Sequence, residues 1–235
     1  MCFTPLISIS TAIIEFVLAT VLLLFFPKSK FRDFFAIFIY LLGFYQFTEF
    51  MLCSGNAVIW AIAGFIAYSF LPAISLHAVL RIFRKKINII WIYIIPITAS
   101  IFAIITPGFI IRTSCERYFV SVGTMITSGA SFLQLVAFAI YITYYFSFLL
   151  LICFIIIKDY LKQKNEIKRE IELVEIIGIL FMTVPTLVLI IIFPFFGLMF
   201  PSVLCEFAIF VAISAFIGVH LKSKLKKKSK RKRRK

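Results

Sequence analysis

Residues 34–86 read FFAIFIYLLGFYQFTEFMLCSGNAVIWAIAGFIAYSFLPAISLHAVLRIFRKK, and this stretch decides the architecture that we predict. It contains two apolar runs, each about as long as the roughly 20 residues that a helix needs to cross a bilayer. It also contains Gln46, Glu49 and His77, which are side chains of a kind that membrane spans usually exclude. A charged side chain at mid-membrane costs roughly 2.5–3.5 kcal/mol on insertion scales, so a retained one indicates a functional site.

The composition of the whole chain extends this interpretation. Of its 235 residues, 63% are apolar and 15% are charged, whereas soluble domains have about 25% charged residues. A chain of this length can cross a bilayer about seven times if its loops are short. We therefore predict an all-α, polytopic membrane protein in which residues 1–221 form a seven-helix transmembrane domain. The predicted spans are residues 5–26, 34–52, 57–83, 87–109, 131–157, 173–200 and 201–221, and residues 222–235 form a basic tail.

The distribution of basic residues predicts the orientation of these helices. Lys and Arg are concentrated in alternate loops and in the tail, which together hold 23 of the 25 basic residues. Cytoplasmic loops carry the excess of Lys and Arg in membrane proteins. The N-terminus is therefore expected outside and the C-terminus inside, with Arg112 and Arg117 alone on the outer side.

The basic tail also indicates where the protein resides and what it meets. Much of the net charge of +15 comes from residues 222–235, so the expected partners are the lipid bilayer and its anionic headgroups rather than nucleic acid. We expect the plasma membrane if the host is prokaryotic, and the endoplasmic reticulum or another endomembrane if it is eukaryotic.

The cysteines allow three interpretations. Four of the five share the predicted outer side: Cys2, Cys53, Cys115 and Cys205. They are either small buried apolar residues, or they form a disulfide in which Cys115 pairs with Cys53, Cys2 or Cys205, a choice that spacing does not decide. The third interpretation is a metal site, since thiolates and carboxylates bind zinc, but no CxxC or HxxxH spacing supports it.

The depth of Gln46 and Glu49 in the membrane predicts a pocket. Glu49 lies about 22 Å from the inner end of its helix in a core about 30 Å thick, and Gln46 is one turn below it on the same face. Lipid exposure would leave the carboxyl without partners, so this face is expected to point inward. We predict an outward-facing polar pocket, roofed by the loop of residues 110–130. Its other expected borders lie at the outer ends of helices one and seven: Cys2, Cys205 and Glu206.

The polar side chains within the predicted spans can also have purely structural roles. Gln46 and Glu49 can merely hydrogen-bond neighbouring helices, which stabilises membrane proteins by about 0.6 kcal/mol on average. Glu15 lies near mid-membrane on the first span, where it must face the bundle interior, and it is a candidate for an ion path. His77 forms a polar site at the inner end, one turn from Arg81, where a hydrogen-bonded or headgroup-facing histidine is the simpler interpretation.

Several short motifs resemble those of a known family. The opening MCFTP, the pair Gln46 and Glu49, the segment LPAISLH at residues 71–77 and SVLC at residues 202–205 carry the resemblance. They resemble an uncharacterised prokaryotic family of small multi-helix integral membrane proteins that open with Met-Cys-Phe-Ser or Met-Cys-Phe-Thr. Leu204 departs from the family pattern, which has Trp there. The resemblance implies no activity, but it implies that five residues belong to one design: Cys2, Gln46, Glu49, His77 and Cys205.

Three functional classes follow from these observations. A sensor or small-ligand-binding protein of unknown ligand is favoured by the outer polar cluster. A carrier of a small solute, an ion or protons is the alternative, suggested by Glu15 and Glu49, although no inverted repeat is visible. An intramembrane metal-dependent hydrolase is third, because such enzymes need several histidines and this chain has only His77 and His220. Motifs of soluble enzymes are absent, so the sequence favours a protein that is not an enzyme and needs no cofactor, with a metal left open.

Overall fold

The computed structural model describes residues 4–83, 88–115, 120–125 and 131–164, together with short pieces between 166 and 180 and between 209 and 221. This part of the chain is mostly helical. Its long helices are α1 (Thr4–Phe25), α2 (Lys30–Ser54), α3 (Ala57–Ile82), α4 (Ile89–Ile105) and α5 (Phe132–Lys162), and its strands are β1 (Ile110–Cys115) and β2 (Val120–Thr124). A shorter helical segment, Ala212–Leu221, falls within the predicted seventh span.

Four of the helices, α1, α2, α3 and α5, are long and apolar enough to cross a membrane, whereas α4 is shorter. Large apolar side chains cover the outer surfaces of the helices, including α4, as shown by Leu24 of α1 at 73% exposure and Trp91 of α4 at 69%. Such extensive apolar exposure is typical of a surface that faces lipid. The fold is therefore compatible with an integral membrane protein. Most of the predicted sixth span and the whole tail lie outside the described residues.

Local capping explains why two helix bounds differ from the predicted ones. α2 begins at Lys30 rather than residue 34 because Ser29 caps it, its hydroxyl accepting a 3.2 Å hydrogen bond from the Arg32 backbone N–H. α4 ends at Ile105 rather than residue 109 because Pro107 and Gly108 follow, and Gly108 has a φ of +75°. A positive φ is adopted readily by glycine and ends the helical backbone.

The prediction of an all-α fold was wrong in one segment. Residues 110–130, expected to form a loop, contain β1 and β2, which pair antiparallel with Cys115 opposite Val120. The Met125 backbone N–H closes the base of this hairpin by donating to the Phe109 carbonyl at 2.7 Å. The segment is short and only partly buried, so it lacks a long apolar pattern, but its β-branched Val, Ile and Thr residues suit strands.

The helices alternate in direction, which gives the bundle two distinct ends. We call the end that holds the hairpin and Cys53 the hairpin end, and the end that holds Arg32 and Arg81 the basic end. The hairpin packs onto the tips of α2 and α3 through a buried contact of Val120 with Leu52 and Ala61. At the basic end, Arg32 donates to the Leu23 and Phe26 carbonyls at 3.1 and 2.8 Å, tying the start of α2 to the end of α1.

Two glycines allow α2 to approach both of its neighbours. A methyl group at Gly43 would lie 2.9 Å from the Phe16 ring of α1, and a methyl group at Gly64 of α3 would lie 2.7 Å from the Thr48 hydroxyl of α2. Both separations are shorter than van der Waals contact. Close approach at these two points sets the rotation of α2, and with it the faces that Gln46 and Glu49 present.

Candidate functional site

Gln46 and Glu49 are both buried within α2, where Gln46 has no exposed surface and Glu49 is 6% exposed. A side-chain hydrogen bond joins Glu49 to Tyr45, one turn earlier on the same helix. Buried polar groups are normally satisfied in this way, because a lost hydrogen bond in an apolar environment costs about 1–3 kcal/mol. The structure therefore places the predicted pair in the protein interior near the hairpin end.

Four tyrosines form a contiguous cluster beside this pair, and we call Tyr45, Tyr68, Tyr141 and Tyr145 the tyrosine cluster. The Tyr68 and Tyr145 rings stack with centroids 4.5 Å apart, and Tyr45 lies 5.8 Å from Tyr68. Tyr141 completes the cluster at 6.5 Å from Tyr145. Aromatic pairs at these separations each stabilise a fold by about 0.5–1.5 kcal/mol beyond simple burial.

Sequence reasoning missed the tyrosine cluster, although a signal for it existed. The run YITYY at residues 141–145 places Tyr141, Tyr144 and Tyr145 on one helical face. The structure shows why that face is polar. The Tyr141 hydroxyl and the Ser69 hydroxyl are 2.9 Å apart, and the Tyr144 hydroxyl donates to the Ser69 carbonyl at 2.8 Å. These contacts bind α5 to α3 directly below the Glu49 region.

A disulfide joins Cys53 to Cys115, with their Cα atoms 5.9 Å apart. Cys53 was one of the three partners that spacing left open for Cys115. Because Cys53 is one turn beyond Glu49 on α2, the bond holds β1 against the helix end nearest to that carboxyl. The hairpin thus covers the tips of α2 and α3 close to Gln46 and Glu49. The fifth cysteine, Cys153, is a half-buried free thiol on α5.

The three predicted borders of the pocket, Cys2, Cys205 and Glu206, lie outside the described residues. The candidate site that can be described is therefore built from α2, α3, α5 and the hairpin. It combines one carboxyl, one amide and several tyrosine hydroxyls.

Glu15 lies on α1, where it has no exposed surface. Within the described part of the chain, neither of its carboxyl oxygens has a hydrogen-bond partner. It shares a buried stripe of α1 with Ser8, Ala12 and Ala19. This second buried carboxyl is on a different helix from the pair Gln46 and Glu49.

His77 belongs to a separate polar site at the basic end. Its Nε2 atom accepts a 3.2 Å hydrogen bond from Arg81 Nε, and its Nδ1 atom lies 3.0 Å from the Tyr93 hydroxyl. An accepting Nε2 requires a neutral ring that carries its proton on Nδ1. The Phe34 ring packs against the imidazole at 5.2 Å. The structure therefore does not bring His77 together with Gln46 and Glu49.

A small cavity of about 70 Å³ lies between α2, α3 and α5, towards the basic end. Its walls are mainly apolar and include Phe38, Leu71 and Ile152, and Tyr145 bounds it on the side of the tyrosine cluster. Neither Gln46 nor Glu49 lines the cavity, so it is separate from the region of these two residues.

Across the described residues, no group of three or more His, Cys, Asp or Glu side chains is placed to hold a metal ion. Comparison of the chain with protein families, with curated proteins and with solved structures finds no match.

Proposed function

We propose that this protein binds a small polar ligand from the outer side of a membrane, at an intramembrane site that contains Gln46 and Glu49, and that it acts as a sensor or receptor. The observation that carries the proposal is the burial of a carboxyl and an amide side by side in a membrane-length helix. Polar groups at membrane depth are expensive to retain and are typical of substrate or ion sites.

The chemistry of the site favours a ligand that both donates and accepts hydrogen bonds. Gln46 offers a carbonyl and an amide, and Glu49 offers carboxyl oxygens. Aromatic rings of the tyrosine cluster lie beside them and provide faces that attract cationic groups. An amine or an amino acid is the class of ligand that fits this combination. Cys2, Cys205 and Glu206 remain the proposed borders of the site.

The proposed topology has seven spans, with the hairpin end outside and the basic end in the cytoplasm. The disulfide supports this orientation, because disulfides persist in oxidising compartments and are rare in the cytosol. Arg32 and Arg81 lie at the opposite end, in agreement with the excess of basic residues in cytoplasmic loops. The proposed location is the plasma membrane of a prokaryote or an endomembrane of a eukaryote, with the tail on anionic lipid.

A ligand screen tests the proposal. Purified protein is heated in detergent with a panel of amines, amino acids and sugars, and a ligand is expected to raise the melting temperature, since ligands stabilise the state that they bind. Glu49→Gln keeps the shape and most hydrogen bonding of the side chain but removes the ionisable carboxyl, so it should abolish that shift without unfolding the protein.

Glu166→Gln is the matched control, because Glu166 is an exposed carboxylate outside the predicted spans. A ligand shift that survives Glu49→Gln unchanged would show that Glu49 only connects helices.

A carrier is the second candidate function, favoured by the additional buried carboxyl of Glu15. It predicts that a ligand found in the screen accumulates inside proteoliposomes. Binding without accumulation would support the sensor instead.

A further inference from the structure

Glu15 is the one ionisable side chain of α1, a helix whose other polar side chains are Ser and Thr hydroxyls. Its side chain has no exposed surface, and its two oxygens lack hydrogen-bond partners among the described residues. A charged carboxylate in such surroundings would carry a large desolvation cost, so the group is held there in its neutral form. A neutral carboxyl is one that already holds a proton.

The register between α1 and α2 shows which groups lie near Glu15. Gly43 approaches the Ala12 carbonyl and the Phe16 ring, so this glycine sits opposite the turn that contains Glu15. One turn closer to the basic end, the Thr20 and Tyr40 hydroxyls are 2.7 Å apart, which confirms the antiparallel alignment.

The same alignment places polar side chains on the hairpin side of Glu15. Gln46 is three residues beyond Gly43 towards the hairpin end, and Glu49 is three residues further. Both side chains are buried. They form a line of polar groups in the protein interior that extends from the level of Glu15 towards the hairpin. Glu49, at the hairpin end of this line, is one helical turn from Cys53.

The basic side of Glu15 is closed by apolar packing. A buried cluster that includes Ala19 and Leu22 of α1, Ile39 of α2 and Ala212 and Val219 of the segment Ala212–Leu221 fills this region. The partly buried Tyr40 packs against the edge of this cluster. Among the described residues, the buried side chains next to Glu15 are therefore polar towards the hairpin end and apolar towards the basic end, where the hydroxyl pair of Thr20 and Tyr40 lies on the exposed face of α1.

Other ionisable groups on the packed elements do not neutralise Glu15. The buried ionisable groups of α2 are Tyr45, Glu49 and Arg32, whereas Tyr40 is only partly buried, and the segment Ala212–Leu221 carries His220. Arg32 is bonded to carbonyls at the end of α1, and the His220 ring packs on Phe26 at 5.9 Å. Both side chains are thus at the basic end, two turns or more from Glu15 along α1.

We propose that Glu15 is a proton-binding site that exchanges with the hairpin side of the membrane, by way of Gln46 and Glu49, and is closed to the basic side. A proton is the cation that fits, because metal cations such as Ca²⁺ and Mg²⁺ need about six oxygen ligands, and among the described residues neither oxygen of this carboxyl has a hydrogen-bond partner. The inference goes beyond the proposed ligand site and holds whether or not a ligand is found.

The test uses dicyclohexylcarbodiimide, an apolar reagent that enters membranes and modifies carboxyl groups in their neutral form. The full chain is reconstituted in vesicles whose inner and outer pH are set separately, and its orientation is read from trypsin cleavage of the basic tail. Modification of Glu15 is quantified by peptide mass spectrometry. It should fall about tenfold for each pH unit beyond the midpoint on the hairpin side, because only the neutral fraction reacts, and it should not respond to pH on the basic side.

Three variants separate the site from its path. Glu15→Gln should remove the modification from this peptide, and Glu15→Asp should retain it. Gln46→Leu should leave Glu15 reactive but slow its response to a pH jump on the hairpin side, which a purely structural role of Gln46 would not do. Glu49→Gln should likewise leave Glu15 reactive but slow its response to a pH jump on the hairpin side. Because this assay contains no ligand, and the ligand screen does not depend on Glu15 modification, failure of one proposal is distinguishable from failure of the other.

Specific results would overturn the inference. They are the absence of Glu15 modification in folded protein at every pH, modification that does not change with pH, or modification that follows the pH on the basic side. Folding of each variant is checked independently by its melting temperature.

Discussion

At the scale of single residues, the position of Gln46 and Glu49 depends on two glycines, which have no side chain. Gly43 and Gly64 let α1 and α3 approach α2 on two sides, and their missing side chains leave room for Phe16 and Thr48. Small residues at helix contacts are the general means by which membrane helices pack closely. The polar pair is therefore held by backbone proximity as much as by hydrogen bonds.

This dependence predicts the effect of a single methyl group. Gly64→Ala should lower stability by about 1–3 kcal/mol, since overpacking a close helix contact forces side chains or backbones to shift. The loss is measured as a lower melting temperature in detergent. Gly123→Ala is the matched control, because its methyl would meet its nearest atoms at an ordinary 3.7 Å. Thr48→Ala should restore part of the loss in the double variant, and failure to do so would argue against this contact as the cause.

At the scale of elements, the hairpin is the part that departs most from a simple helical bundle. It is attached in two ways, by burial of Val120 against Leu52 and Ala61 and by the bond from Cys53 to Cys115. The bond encloses a segment that contains all of α3 and α4, because the two cysteines are 62 positions apart in the chain. The covering of the α2 and α3 tips thus depends on both packing and covalent chemistry.

Removal of this bond should destabilise the protein. The double variant Cys53→Ser and Cys115→Ser is expected to lose about 2–4 kcal/mol, since closing a long loop restricts the unfolded chain. The readout is the melting temperature with and without a reducing agent. The agent should lower the value for the parent protein and leave the double variant unchanged.

Cys153→Ser is the control for this experiment, because Cys153 is a free thiol far along α5. It should keep the response to reduction. A parent protein whose melting temperature ignores the reducing agent would contradict a stabilising role for the bond.

At the scale of the whole molecule, the two ends of the bundle differ in chemistry. The hairpin end carries the disulfide and the polar pair, whereas the basic end carries Arg32, Arg81 and the hydrogen-bonded His77. Between them lie apolar clusters that fill the helix contacts. This asymmetry agrees with the proposal that the hairpin end binds a ligand and that the basic end lies at the cytoplasmic surface of the membrane.

The proposed topology predicts opposite labelling at the two ends. Cysteines introduced at Ser114 of β1 and at Ser229 of the tail should react with an impermeant thiol reagent from opposite sides of the membrane. The background is a variant that lacks Cys2, Cys153 and Cys205, so that the cysteines of the described disulfide alone remain. Labelling of both positions from the same side would contradict the orientation with the hairpin outside and the tail in the cytoplasm.

The sequence by itself determined the properties that depend on local composition and on the helical repeat of about 3.6 residues, namely which segments are helices and which side chains share a helical face. Hydropathy and length identified apolar helices in the first, second, third and fifth predicted spans, because crossing hydrocarbon imposes a minimum run of apolar residues. The helical period was enough to place Gln46 and Glu49 on one face. The helix ends were less accurate where a cap such as Ser29 or a turn at Gly108 decided them.

Only the tertiary structure decided which distant residues meet. It selected Cys53 among the candidate partners of Cys115, stacked Tyr68 of α3 on Tyr145 of α5, and formed a hairpin where a loop was expected. It also separated His77 from the polar pair. These outcomes depend on the rotation and depth of one helix against another, which close contacts such as those of Gly43 and Gly64 set, and neither quantity is encoded in the hydropathy or the period of a single segment.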